Sequence, residues 1–346
     1  MSCQVLSSVG ALAILSLALV PVAGQTPAEA KASGNAWTPS LTPDGQPDLQ
    51  GNWLNNGATP LERPKQLEGR QYLTDAEVAE LKRRADRLFK NGDSDAANGD
   101  TYFLTALANP EQFRRVGAST GAQITEREFD NRTSLIVDPP DGKLPPYTPA
   151  GQRRQNALVA ATAMRNPPAG PEDLTTLQRC ITYGVPMTRV SNDTSYYQIV
   201  QSPGYVVIVM EAIHDARVIP LDGRPHLPPG VRTWNGDSRG RWEGQTLVVD
   251  TINFSSKDSF MGSAENLHLI EHYTRTAPDE IRYEITVDDL TTWTKPWTAV
   301  VRLKQTPDKI YEFACHEGNF PVMEGMLSTP RAQDKAAAEA GQKKSK

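Results

Sequence analysis

Along residues 74–90 apolar side chains recur at helical spacing. Val78, Leu81, Ala85 and Leu88 fall on one stripe, and Thr74 with Glu77 forms a capping-box pair at its start. The pattern predicts a helix over Thr74 to Lys90, ended by the polar run Asn91 to Asp100. Gln152 to Arg165 reads as a second helix, stopped by Pro167-Pro168. From Tyr196 onward the period shortens to two. Ile281, Tyr283, Ile285 and Val287 alternate strictly with Arg282, Glu284 and Thr286, the mark of a half-buried strand. Tyr205 to Arg217, Arg241 to Phe254, Leu267 to Arg275, Thr298 to Lys304 and Ile310 to Cys315 read as further strands, with turn signals at Pro203-Gly204, Asp222-Gly223 and Pro278-Asp279. Short strands at regular intervals predict a mainly β fold, an antiparallel barrel or sandwich.

The expected layout follows. Residues 25–70 form an extended lead-in rich in Pro and Gly with one short strand at most, and 71–195 form a helix-containing extension packed on the barrel. Residues 196–320 form the barrel core, and 321–346 a basic, disordered tail. Ahead of these, Met1 to Gly24 contains no charged side chain, and Val9 to Val20 is an apolar run of signal-peptide length, too short to span a bilayer. We read 1–24 as a signal peptide and the protein as exported, periplasmic or secreted. The alternative is a buried N-terminal helix, against which Pro21, Gly24 and Pro27 break the run at once. The n-region departs from the usual pattern, since it lacks Lys and Arg.

Charge and cysteine content narrow the picture. The net charge is −5, and the tail from Arg331 carries +3 of its own, which leaves an acidic body. Phosphate backbones need a basic footprint, so nucleic acid is not the expected partner. With Cys3 removed in the signal segment, Cys180 and Cys315 remain. Only one pairing is open to them, and an oxidising compartment permits it. Two buried free thiols are the alternative; a catalytic thiol would need an activating group, and none is evident.

Several phrases together resemble a family of exported proteins common in soil bacteria. They are Pro47-Asp48-Leu49-Gln50-Gly51-Asn52-Trp53, Ser134-Leu135-Ile136-Val137-Asp138-Pro139-Pro140-Asp141-Gly142, Asp222-Gly223-Arg224-Pro225-His226, Gly240-Arg241-Trp242-Glu243-Gly244, Glu265-Asn266-Leu267-His268 and Cys315-His316-Glu317-Gly318-Asn319. The resemblance spans most of the chain after the signal segment and implies no settled activity. Gly51-Asn52-Trp53 and Gly240-Arg241-Trp242 also resemble the Gly-x-Trp of calycin and lipocalin first strands, which implies a calycin-like barrel.

All five histidines fall between His214 and His316. Imidazole titrates near neutral pH and can give or take a proton. His214 precedes Asp215, His226 follows Asp222, His316 precedes Glu317, and His268 and His272 flank Glu271. Strand spacing places His268, Ile270 and His272 on one face and Glu271 with Arg275 on the other. It places Glu211, Asp215 and Arg217 on one face with Val207 and Val209. The candidate catalytic set is His316, His214, His268, Glu317 and Asp215. Arg224, Trp293, Trp297 and Glu271 are candidate substrate contacts, although large aromatics in such a stretch, with Trp234 and Trp242 among them, are more often barrel core. No His-x-His or His-Glu-x-x-His spacing and no zinc-type cysteine pair occurs, so we expect no metal and no cofactor. Neither a nucleophile elbow, a phosphate-cradling glycine loop nor a dinucleotide fingerprint occurs either. The expectation is an exported enzyme doing metal-independent acid–base chemistry (lyase, isomerase or hydrolase type) on a small molecule. The alternatives are a lipocalin-like binding protein that does no chemistry and a surface-interaction protein.

Overall fold

Among the described residues, ten strands carry the β part of the fold. In chain order they are β1 (Gly51–Leu54), β2 (Ile136–Asp138), β3 (Tyr196–Ser202), β4 (Tyr205–Met210) and β5 (Ala216–Pro220), then β6 (Asp237–Glu243), β7 (Thr246–Ile252), β8 (His268–Ala277), β9 (Glu280–Asp288) and β10 (Trp297–Gln305). The computed structural model describes residues 37–89, 100–111, 127–162, 168, 170–187 and 195–328. The predicted signal segment 1–24, the tail from Arg331 and the last residues of the second predicted helix lie outside them.

Nine strands form an antiparallel, nearly closed barrel in the order β5-β4-β3-β1-β10-β9-β8-β7-β6, and β2 adds to β10 beside this path. The barrel expectation therefore holds. Its boundaries differ from 196–320. The lead-in strand β1 sits between β3 and β10, pairing Trp53 with Tyr197 on one side and Gln305 on the other. At the other end the predicted strand Ile310–Cys315 does not form; residues 306–314 are irregular and 315–328 are helical.

The predicted strand Tyr205–Arg217 is two strands. After Met210 the chain turns a tight corner in which Ile213 and His214 take left-handed backbone angles, φ 60° and 54°. That corner breaks the period-two count. Val207 and Val209 stay half-exposed on the outer face, whereas Arg217 points into the barrel and is buried. Arg241–Phe254 likewise divides into the hairpin β6–β7, turning at Gly244 with φ 59°.

The bore is filled by side chains. Trp53, Tyr197, Leu269, Tyr273, Ile281, Tyr283, Ile285 and Trp297 belong to one buried cluster, as the interior of a small barrel requires. Arg275 lies 5.4 Å from the centre of the Trp53 ring and donates to the Asp48 carbonyl at 2.8 Å, which covers that end of the core.

β5 and β6, the two ends of the strand path, approach each other without joining the backbone ladder. Gly240 permits the approach: a Cβ there would lie 2.6 Å from Leu221 and 2.8 Å from Ile219. Side chains close this seam in place of peptide groups. Arg217 on β5 donates to Ser238 on β6 (3.1 Å), Thr251 on β7 (3.2 Å) and both carboxylate oxygens of Glu271 on β8 (3.0 and 2.6 Å).

The first predicted helix is α1 (Asp75–Phe89), with Thr74 and Glu77 capping each other as the capping box requires. Its stripe residues Leu81, Ala85 and Leu88 are buried against α2 (Thr101–Ala108), where Phe89 stacks on Tyr102 at 4.6 Å. α2 was not evident in the sequence. α3 (Pro149–Thr162) matches the second predicted helix, with Gly151 against the Thr292 backbone, where a Cβ would meet the Thr292 carbonyl at 2.3 Å.

Candidate functional site

β7 and β8 turn alternate side chains outward, and this outer face holds the histidines. On β8, Leu269, Glu271 and Tyr273 are fully buried, while His268, Ile270 and His272 are partly exposed on the opposite face. On β7 Asp250 shares that outer face, since its neighbours Val249 and Thr251 point inward. The loop after β5 then folds back across the face and delivers His226. Asp222, Asn253 and Arg239 pin this loop. Asp222 accepts from the Arg224 backbone N–H (3.2 Å), Asn253 donates to the Leu227 carbonyl (2.8 Å), and Arg239 donates to the Pro225 carbonyl (3.0 Å).

The result is an alternating chain of carboxylates and imidazoles. The Asp250 carboxylate bridges two rings, with Oδ2 2.9 Å from His268 Nε2 and Oδ1 2.8 Å from His226 Nε2. His226 Nδ1 lies 3.0 Å from Asp237 Oδ2, so both of its ring nitrogens face an acidic acceptor. Asp237 also accepts from the Leu227 backbone N–H at 2.8 Å and from Arg239 at 2.5 Å. These are charge-assisted contacts on a half-buried surface, where solvent screens them only in part. His268 uses Nε2 alone in this chain and keeps Nδ1 for another partner. Nearby, His272 Nδ1 stands 4.0 Å from Glu284.

Electrostatics follow the geometry. The hydrogen bond to Asp250 raises the His268 pKa above its ordinary 6.5, with burial opposing and Asp288 assisting. The bond from His268 is in turn the largest cause holding Asp250 below its ordinary 3.8. Native His268 binds its proton more tightly than the unfolded chain does. Its contribution to stability is therefore full below about pH 6.5 and lost as pH rises through the raised value. The Asp250 contribution is present above about pH 4 and lost as pH falls through the lowered value. The pair thus stabilises the fold most between these limits. An NMR titration of the imidazole protons is expected to place His268 above 6.5 and to bring it back towards that value in Asp250→Asn; an unshifted His268 in the wild type would contradict the bridge.

The other predicted site residues do not join this chain. His316 and Glu317 sit in the first turn of the 315–328 helix and are exposed, away from any strand end. His214 accepts the Phe313 backbone N–H on Nε2 at 2.8 Å, so it holds the chain segment before that helix. Asp215 faces a different environment. Its Oδ2 accepts from the Thr182 hydroxyl and from Asn235 Nδ2 (2.6 Å) beside the seam. The proposed substrate contacts also move. Trp293 and Trp297 are wholly buried and pack edge to face at 5.8 Å, so they are core. Glu271 is wholly buried and bonded to Arg217, out of reach of a substrate on the outer face. Arg224 is exposed and folded onto its neighbour Asp222, which it holds down at about 2, and it also donates to the Tyr205 hydroxyl.

Sequence reasoning undervalued His226, Asp250 and Asp237. Period-two spacing puts His268 on the face opposite Glu271 without saying which face is outer, and its partners arrive from β7 and from a loop, neither of which shows in local spacing. Among the described residues no group of three His, Cys, Asp or Glu side chains is arranged to hold a metal ion. No helix among them is long and apolar enough to cross a membrane. Cys180 and Cys315 are joined in a disulfide with Cα atoms 5.8 Å apart. A comparison with models of known protein families finds no match, and neither does a comparison with curated protein sequences.

Proposed function

We propose that this protein is an exported enzyme performing metal-independent acid–base chemistry on a small organic molecule, with His268 as its proton-transfer group. The observation that carries the reading is the Asp250 carboxylate shared between His268 and His226 at 2.9 and 2.8 Å. A carboxylate that fixes the ring and stabilises its protonated form suits a histidine to general acid–base work. Asp250 supplies this, and His226 with Asp237 fixes Asp250 in turn. Nδ1 of His268 is then the atom that gives or takes a proton from the substrate, in a reaction of lyase, isomerase or hydrolase type. Export is supported by the apolar, uncharged first 24 residues and by the disulfide, which an oxidising compartment maintains. A lipocalin-like carrier would need an open bore, and the side chains packed inside this barrel favour the enzyme reading.

The test is a screen of the purified protein against small esters, amides, hydroxy acids and keto compounds, scored by NMR for hydrolysis, elimination and solvent-deuterium exchange. Once a turnover is found, His268→Asn is expected to lower it by about 10²–10⁴-fold, with the protein still folded and only the pair's own contribution to thermal stability lost. Asp250→Asn is expected to lower it less and to shift the pH profile towards acid. Full turnover in His268→Asn would overturn the assignment.

A further inference from the structure

Beside the β5–β6 seam lies a cleft of about 290 Å³, which His268 does not line. Its lining is mostly planar or hydroxylic polar groups around one aromatic ring: Thr182, Asp215, Arg217, Trp234, Asn235 and Ser238. We infer that this cleft is a binding site for a neutral, polyhydroxylated ring compound of monosaccharide size.

Two observations point to a ligand. First, both hydrogen bonds that Asp215 accepts fall on Oδ2, from Thr182 and Asn235. The carboxylate is therefore held rigid by bonds to Oδ2 alone, which leaves Oδ1 its acceptor capacity on a residue that lines the cleft. Second, Arg217 lines the same cleft with a side chain only 3% exposed, and its Nε is buried with no hydrogen-bond partner. Its other nitrogens are engaged with Glu271, Ser238 and Thr251. A buried donor without an acceptor costs about 1–3 kcal/mol, a cost that a ligand oxygen would remove on displacing the atoms that now cover Nε. The cleft thus offers a fixed acceptor and a fixed donor, which match the two faces of a hydroxyl group.

Charge selects against ionic ligands. Arg217 is compensated by Glu271, and Asp237, at the cleft edge, is compensated by Arg239. An anion would face Asp215 at close range. A cation would compete with the Arg179 guanidinium, already 6.0 Å from the centre of the Trp234 ring. A neutral ring avoids both penalties. Its C–H face can lie on the flat, half-buried Trp234 while its hydroxyls pair with Asp215 and Arg217. The volume is at the small end of ligand sites, which span roughly 300–1,000 Å³, so one ring fits and a long chain does not. The inference is independent of the acid–base reading, because it concerns binding alone.

The experiment titrates the whole chain with neutral hexoses, pentoses and cyclic polyols. An alkylamine and a carboxylate of similar size run in parallel, followed by tryptophan fluorescence and ligand-detected NMR. At least one neutral polyol is expected to bind. Its affinity should fall about tenfold or more in Asp215→Asn and in Trp234→Ala. Trp234→Phe keeps a flat ring and is expected to retain binding, which covers the case in which the alanine variant fails to fold. Arg241→Ala, on the exposed outer face of β6, should bind as the wild type does. No polyol binding to the folded protein, binding that survives both Asp215→Asn and the removal of the ring, or preference for the amine or the carboxylate would each overturn the inference.

Discussion

Replacing Glu271 by alanine is expected to lower the unfolding free energy by about 3–5 kcal/mol, the cost of leaving one member of a buried ion pair uncompensated. The side chains of Arg217 and Glu271 are 3% and 0% exposed, so solvent cannot take the place of the lost partner. The carboxylate also accepts the hydroxyls of Tyr273 at 3.1 Å and Tyr283 at 2.5 Å. Its removal leaves three donors in an apolar bore. Denaturant unfolding monitored by tryptophan fluorescence would measure the change. Replacing both partners by apolar side chains of similar volume, Arg217→Met with Glu271→Leu, is expected to recover most of the loss, since the pair's mutual attraction is largely offset by its desolvation. The double variant should nevertheless show faster hydrogen exchange along β5 and β6, because Arg217 is the side chain that ties β5 to β6, β7 and β8 where no backbone ladder does. A single Glu271→Ala variant as stable as the wild type would show that this pair does not close the seam.

That pair also marks where the sequence stops being readable. The alternation on β8 and β9 reports orientation faithfully: Leu269, Glu271, Tyr273, Ile281, Tyr283 and Ile285 all point inward, as a count of two dictates. The count of two separates Glu271 from His268 and His272 as the structure does, but a carboxylate among apolar neighbours gives no sign of its ion partner. Arg217 lies 54 residues away on a strand whose register is reset by the corner at Ile213 and His214. Period counting carries across a strand and fails at a left-handed corner, and for that reason the predicted face of Glu211, Asp215 and Arg217 was wrong. The same limit applies to the outer-face chain. Asp250 and His268 occupy neighbouring strands, two residues out of direct register, since Asp250 pairs with Ile270. Their contact depends on pairing, and no window of the sequence contains it. His226 depends further on the path of a loop. His316 misled for a related reason: its segment was read as a strand end, whereas Cys315 starts a helix whose opening residues are exposed. Cysteine counting succeeded because two cysteines leave one pairing, whatever the topology.

Reducing the Cys180–Cys315 disulfide, or replacing Cys315 by serine, is expected to destabilise the protein by up to about 5 kcal/mol. The bond closes a loop over a sequence separation of 135 residues, and the chain-entropy estimate grows with the logarithm of loop length. That value is an upper bound, because a compact unfolded chain already restricts the loop. The effect should also be local. Residues 306–314 lack regular structure and are held by side chains near the β4–β5 corner. Glu211 accepts the Tyr311 N–H at 3.1 Å, and His214 accepts the Phe313 N–H at 2.8 Å. Beyond the disulfide, Asn319 donates to the Gln178 carbonyl at 2.8 Å. These few bonds to a mostly exposed segment are too weak to order it alone, so breaking the covalent link should release residues 306–328 before the barrel opens. Hydrogen exchange of the reduced protein is expected to show lost protection in 306–328 and retained protection in β7 to β10. Because Cys180 lies two residues from Thr182, which holds Asp215, the cleft beside the seam should lose ligand affinity in the same experiment. Equal unfolding midpoints with and without reductant would place the stabilisation of this half in the barrel ladder alone. A midpoint that falls while 306–328 stays protected would instead assign the effect of the cross-link to the unfolded chain.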